Sequence, residues 1–169
     1  MAATQLYLGL LAGKVIKGAA MYSIGNEEIL MQQKVAFLCS RKVPQGVAVK
    51  ARRWADEQRE LGRCVISGYH SPLEKAVLCR LLLGTQPIIV AMAQGLGRID
   101  PEWGAHISAG RLLVISRYAE SVTHPCESKC YQRNKMMMDL ADQVVIAHAS
   151  PGGKLELLCA AYPGKIFFL

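Results

Sequence analysis

The chain holds 169 residues, of which 51% are apolar, 20% charged and 7% aromatic. A mean hydropathy of +0.19 excludes an intrinsically disordered chain, and no apolar run reaches the roughly 18–20 residues that span a bilayer. Twenty Lys and Arg against thirteen Asp and Glu leave a net charge of +7, a surplus that favours a polyanionic partner without specifying a fold.

The apolar stretch from Leu6 to Ala12 has no basic residue before it and no small-residue cleavage pattern. No secretory leader is read there, and a soluble cytoplasmic protein is expected. Residues 1–33, with Tyr22-Ser23-Ile24-Gly25-Asn26, read as a strand or hairpin extension. From 34 to 169 short apolar runs alternate with amphipathic segments. Strands are predicted over 34–39 (KVAFLC), 64–67 (CVIS), 87–92 (PIIVAM), 111–116 (RLLVIS), 143–148 (QVVIAH) and 165–169 (KIFFL). Each is apolar on both faces, as strands of a buried parallel sheet must be. Helices are predicted over 47–61, 73–83, 130–141 and 153–162, the first with Val49, Trp54 and Leu61 on its apolar side. The alternation predicts an α/β fold: a three-layer αβα Rossmann-like sandwich around a mainly parallel sheet, in one domain over 1–169.

Of six cysteines, Cys39, Cys64 and Cys79 fall in apolar runs and read as small buried hydrophobes. Cys126 and Cys130 follow His124 in a C-x3-C, but no second Cys/His pair stands at zinc-site spacing. Neither a metal nor a cofactor is expected.

Open parallel sheets bind ligands beyond the carboxyl ends of their strands. The loops to inspect are therefore Ser40-Arg41-Lys42, Ser67-Gly68-Tyr69-His70-Ser71, Ala93-Gln94-Gly95-Leu96-Gly97 and Ser150-Pro151-Gly152-Gly153-Lys154. Backbone N–H groups at helix starts, with Gly and Ser to let an anion approach, suit phosphate. Ser40, Arg41, Lys42, Ser67, Gly68, Gly152, Gly153 and Lys154 are the residues these loops offer. Gln132-Arg133-Asn134-Lys135 reads as the opening of a helix and a second basic wall, since Arg grips phosphate with a planar fork. Met136, Met137 and Met138 behind it read as core filling. Gly95-Leu96-Gly97 lacks the third glycine of G-x-G-x-x-G because position 100 is Asp, and no P-loop is present. Nicotinamide-dinucleotide and Walker-type binding are thereby unsupported. His70, His106, His124 and His148 are scattered, and Ser67 lacks a G-x-S-x-G elbow. Glu74 and Glu156 begin helices, where the dipole favours a carboxylate without chemistry. With no nucleophile–base pairing, the chain reads as a binding protein rather than an enzyme.

Taken in order, these segments resemble the Rossmann-like domain of the DNA-processing protein A (DprA, or Smf) family. The counterparts are Val35 to Arg41; Val65-Ile66-Ser67-Gly68 through Glu74, Ala76 and Leu78 to Gly84; Ile88 to Leu96; and Ala109 to Ser116. Arg133-Asn134-Lys135-Met136, Leu140 to Ala147, Gly152-Gly153 and Lys165 to Phe168 complete the series. Tyr69-His70-Ser71-Pro72-Leu73-Glu74 replaces the family's "GiD-xAH" box, and Lys135 stands for the second Arg of its "RNR". No helical N-terminal or winged-helix C-terminal domain of the family is expected within 1–169. The resemblance implies a homodimer that binds single-stranded DNA, in recombination or DNA uptake, with a RecA-type recombinase as partner. It also implies backbone contacts from Ser40, Arg41, Ser67, Gly68, Arg133, Asn134 and Lys135. Pro151-Gly152-Gly153-Lys154-Leu155-Glu156 is similar to the PGG-x-GT-x-x-E loop of the LOG phosphoribohydrolases. That second resemblance implies cleavage of a nucleoside monophosphate by Arg133 and Glu156, although the Gly-Thr step is missing. A nucleotide or molybdenum-cofactor carrier of the same superfamily is the third reading.

Overall fold

Strands that are apolar on both faces need cover on both sides, and the computed structural model, which describes residues 3–7 and 20–169, provides it. The strands are β1 (Thr4–Tyr7), β2 (Ala20–Gly25), β3 (Lys34–Cys39), β4 (Cys64–Ser67), β5 (Ile88–Met92), β6 (Leu112–Ser116), β7 (Gln143–His148) and β8 (Ile166–Phe168). The helices are α1 (Val47–Glu60), α2 (Pro72–Leu82), α3 (Gly104–Ser108), α4 (Glu127–Leu140) and α5 (Lys154–Cys159). Short 3-10 turns at Glu27–Met31 and Pro101–Trp103 complete the order. The strands form one sheet in the order β1-β2-β6-β5-β4-β3-β7-β8. Strands β3 to β8 pair in parallel, while β2 joins β6 and β1 joins β2 antiparallel. The fold is thus the expected α/β Rossmann-like sandwich, with β1 and β2 paired at its edge. Their connection, residues 8–19, and most of the Leu6–Ala12 stretch lie outside the described residues.

Period-two alternation divides β3 between two cores. Val35, Phe37 and Cys39 pack with Ala51, Trp54 and Ala55 of α1 and Val77 and Leu81 of α2. Ala36 and Leu38 pack with Met137, Met138 and Leu140 of α4 and Leu155 and Leu158 of α5. Phe37 stacks on Trp54 with ring centroids 4.9 Å apart and planes inclined by 24°. All three methionines of the Met136–Met138 run are buried, filling the second core as expected.

Several local expectations are corrected. On α1, Val49 and Leu61 are exposed; the buried stripe is Ala51, Trp54, Ala55 and Gln58, whose i, i+3, i+4, i+7 spacing defines one face and puts Val49 off it. Cys79 is exposed because it lies off the face of α2 that Leu73, Glu74, Val77, Leu78 and Leu81 bury. Helix α4 begins at Glu127, with Cys126 in extended conformation before it, so Gln132-Arg133-Asn134-Lys135 does not open the helix but lies in its second turn. The short α3 was not foreseen, since five residues carry too little periodicity to register. No described helix is long and apolar enough to cross a membrane.

From β3 the chain steps through β4, β5 and β6 in one direction, while β7 and β8 lie on the other side of β3. Strand order therefore reverses between β3 and β7. The crevice beyond the carboxyl ends of these two strands is where an open α/β sheet places its ligand.

Candidate anion-binding site

A cavity of about 600 Å³ occupies that crevice, within the size range of small-ligand sites. Its floor is the junction of β3 and β7. The Ser40 N–H donates to the His148 carbonyl at 2.8 Å, and the Ser150 N–H donates to Ser40 Oγ at 3.0 Å. Ser40 therefore ties the two strand-end loops together.

Glu74 braces the adjoining wall. Its Oε1 accepts from the Cys39 N–H at 3.3 Å, and its Oε2 accepts from the His70 and Ser71 N–H groups at 2.9 Å each. Ser71 Oγ returns the bond by accepting from the Glu74 N–H, completing a capping box at the start of α2 with Pro72 in its first turn. Glu74 is only 4% exposed. The sequence reading gave it the helix dipole alone; the structure adds the cross-link from helix to β3. A buried carboxylate that holds three backbone amides is a brace.

Arg133 is the cavity's deep cation. It is 5% exposed and lines the cavity, and its Nε donates to Asn134 Oδ1 at 3.1 Å. Among the described residues no carboxylate lies within ion-pair reach of it. The guanidinium fits because position 68 has no side chain: a Cβ on Gly68 would fall 2.8 Å from Arg133 Nε and closer still to Cζ and Nη1. A buried cation without a counter-charge is costly, and an anionic ligand relieves that cost.

Arg41 and Lys42 stand exposed at the rim. Arg41 Nη2 lies 3.4 Å from His70 Nε2. Desolvation first, then the Arg133 and Arg41 charges, hold His70 below its ordinary pKa, so it is neutral at pH 7 and can accept from Arg41. Lys154 is not free: its Nζ pairs with Glu127 at 3.0 Å, linking the starts of α5 and α4 across the mouth.

The sequence-derived residues thus separate. Ser40, Arg41, Lys42, Arg133, Asn134, Gly153 and Lys154 line the cavity. Ser67, Gly68, Lys135 and Gly152 do not. Ser67 is fully buried, its Oγ accepting from the Tyr69 N–H at 3.4 Å in a tight turn. Tyr69 there adopts φ 46°, the single positive φ of a non-glycine among the described residues. Gly68 acts through the space it leaves for Arg133. Lys135 points away along α4 and pairs with Asp139 at 2.9 Å, because two helical positions past Arg133 turn a side chain to the opposite face. Gly152 adopts φ +69° and gives its N–H to Glu156 Oε2 at 2.7 Å. Glu156 is therefore spent on its own loop, exposed and outside the cavity, and the Arg133–Glu156 pair of the phosphoribohydrolase reading is not brought together. His70, Glu74, Ser150, Cys126 and Cys130 line the cavity without having been chosen from sequence. For His70 and Ser150 the signal was available, since both follow strand ends.

A family model for DNA recombination-mediator protein A matches residues 13–161. Among solved structures, DNA processing protein A from Helicobacter pylori, described for its single-stranded DNA binding mode, superposes with a TM-score of 0.78 at 20% identity, over 99% of this chain and 80% of its own. DNA processing protein A from Streptococcus pneumoniae superposes with a TM-score of 0.72 at 20% identity, over 88% of this chain and 54% of its own. No curated protein sequence matches. At these identities the structural likenesses concern the fold, and the match across 13–161 adds the lineage: the chain belongs to the DNA recombination-mediator protein A family.

Proposed function

We propose that this chain binds single-stranded DNA through its phosphates at the β3–β7 cavity, as a DNA-processing protein acting in recombination or DNA uptake. The observation that carries the reading is Arg133, a nearly buried guanidinium with no carboxylate partner among the described residues, facing a cavity at the reversal of strand order. Arg41 and Lys42 at the rim extend the positive surface along which a phosphate chain would lie, and the Ser40 and Ser150 loops offer close backbone approach. The Helicobacter relative is described as binding single-stranded DNA, which supports the same ligand class here. A homodimer in the cytoplasm, with a RecA-type recombinase as partner, completes the proposal on the strength of the family.

Fluorescence anisotropy with labelled oligo-dT tests it. Each phosphate neutralised releases counterions, so affinity falls steeply and log-linearly with salt. Arg133→Met and Arg41→Ala weaken binding to all base sequences about equally, because phosphate contacts carry no base information. Undetectable binding, or binding indifferent to salt, overturns the reading. Thermal stabilisation by a mononucleotide but not by long single strands points instead to a nucleotide carrier.

A further inference from the structure

Two thiols that the DNA reading does not use share one wall of the cavity. Cys126 is exposed at the N-terminal boundary of α4, Cys130 is half-buried, and both line the cavity. The Cys130 N–H donates to the Cys126 carbonyl at 2.9 Å. That bond sets the residues one helical turn apart, with Cβ atoms about 5–6 Å from one another. Cys126 Sγ lies 3.2 Å from Ser128 Oγ, and Lys129 Nζ is held at the same turn by donating to the His124 carbonyl at 2.9 Å. These surroundings draw the Cys126 thiol below its ordinary pKa, the Ser128 hydrogen bond most strongly. Elsewhere burial does the opposite: Cys39 and Cys64 are each pushed up to about 12, and Cys159 is raised as well. An accessible thiol whose surroundings ease loss of its proton, one helical turn from a second thiol, is the arrangement of peroxide-reactive pairs.

We propose that Cys126 and Cys130 form a reversible oxidation site on the cavity wall, with Cys126 attacking a hydroperoxide and Cys130 closing a disulfide within the turn. In the first step the Cys126 thiolate attacks a peroxide oxygen. An S–O bond forms as the O–O bond breaks, the sulfur is oxidised by two electrons, and the departing alkoxide or hydroxide takes a proton from solvent. In the second step the Cys130 sulfur attacks Cys126. The S–S bond forms, the S–O bond breaks, and hydroxide leaves with the Cys130 proton as water. Two thiols and one hydroperoxide thus give a disulfide, one alcohol or water from the peroxide, and one further water. A disulfide holds its Cβ atoms about 3.5–4.5 Å apart, so closure draws Cys126 inward and deforms the first turn of α4. That turn carries Glu127, the partner of Lys154 across the cavity mouth.

The readout is chemical and independent of DNA binding. The reduced protein is treated with equimolar hydrogen peroxide, its free thiols are alkylated, and its peptides are mapped without reduction. The expected product is a Cys126–Cys130 disulfide, lighter by two hydrogens and reversed by dithiothreitol, with the other exposed cysteine, Cys79, still alkylated. Amide exchange across the first turn of α4 rises in the oxidised form. In Cys130→Ser, dimedone traps a sulfenic acid at Cys126; in Cys126→Ser, Cys130 stays reduced at the same dose. Circular dichroism verifies that both variants fold, and the wild-type map stands without them. A disulfide from Cys126 to Cys39 or to a second copy, oxidation of Cys79 as fast as Cys126, or unchanged exchange in α4 overturns the proposal.

Discussion

Replacing Gly68 with alanine probes whether the space left for Arg133 is what aims it at the cavity. The backbone at Gly68 lies outside the left-handed region, so alanine brings no backbone strain there. The added Cβ falls 2.8 Å from Arg133 Nε and nearer still to Cζ and Nη1, where ordinary contact begins at 3.4 Å. The guanidinium must therefore retreat. Its own packing resists, but it is the far end of a flexible side chain, so the fold survives while the charge moves. Losing its charge-assisted hydrogen bonds to a phosphate costs about 1.5–3 kcal/mol, or roughly 10- to 150-fold in Kd. Anisotropy with oligo-dT at low salt measures the loss, and thermal melting verifies the fold. Because both substitutions act through one group, Gly68→Ala on top of Arg133→Met adds little further loss. Wild-type affinity for Gly68→Ala beside weak binding for Arg133→Met would refute the reasoning.

Other expectations follow from the same geometry. His70 is held below its ordinary 6.5, so the folded state binds its proton less readily than the unfolded chain. The stability gained from keeping it neutral is present at neutral pH and is lost as pH falls below about 6.5. A phosphate bound beside Arg41 reverses this balance, so oligo-dT affinity rises as pH falls through the same window. His70→Gln flattens both profiles, and a Kd for the wild type that is constant from neutral to mildly acid pH counts against the contact. The Tyr69 hydroxyl is buried without a hydrogen-bond partner. Tyr69→Phe removes that orphan and is expected to stabilise by about 1 kcal/mol, or roughly 2–4 °C in melting temperature; a clear drop means the hydroxyl has a partner.

Much of this architecture was legible because its causes are local in sequence. A strand buried on both faces writes itself as a short β-branched run, and 34–39, 64–67 and 143–148 match β3, β4 and β7 residue for residue. The Ser71–Glu74 capping box was written just as locally, yet the reading from sequence gave Glu74 only the helix dipole. The α1 face was misread because Val49 and Leu61 are apolar, and apolarity shows what can be buried rather than what is. Only the helix phase, set by Ala51, Trp54, Ala55 and Gln58 against the sheet, decides between them.

The candidate site divides along the same line. The sequence by itself showed that loops rich in Ser, Gly and basic residues follow β3 and β7, because such residues after an apolar strand are a local pattern. Only the tertiary structure decided that β3 and β7 are neighbours, a pairing across more than a hundred residues that no local pattern encodes. Packing of α4 beside the β4–α2 loop set Arg133 over Gly68, while the phase of α4 left Lys135 to Asp139 and the turn before α5 left Glu156 to the Gly152 amide. Residue type states which groups can meet an anion, and packing selects among them, because a charge joins a site only where its helix phase and its neighbours leave it no other partner.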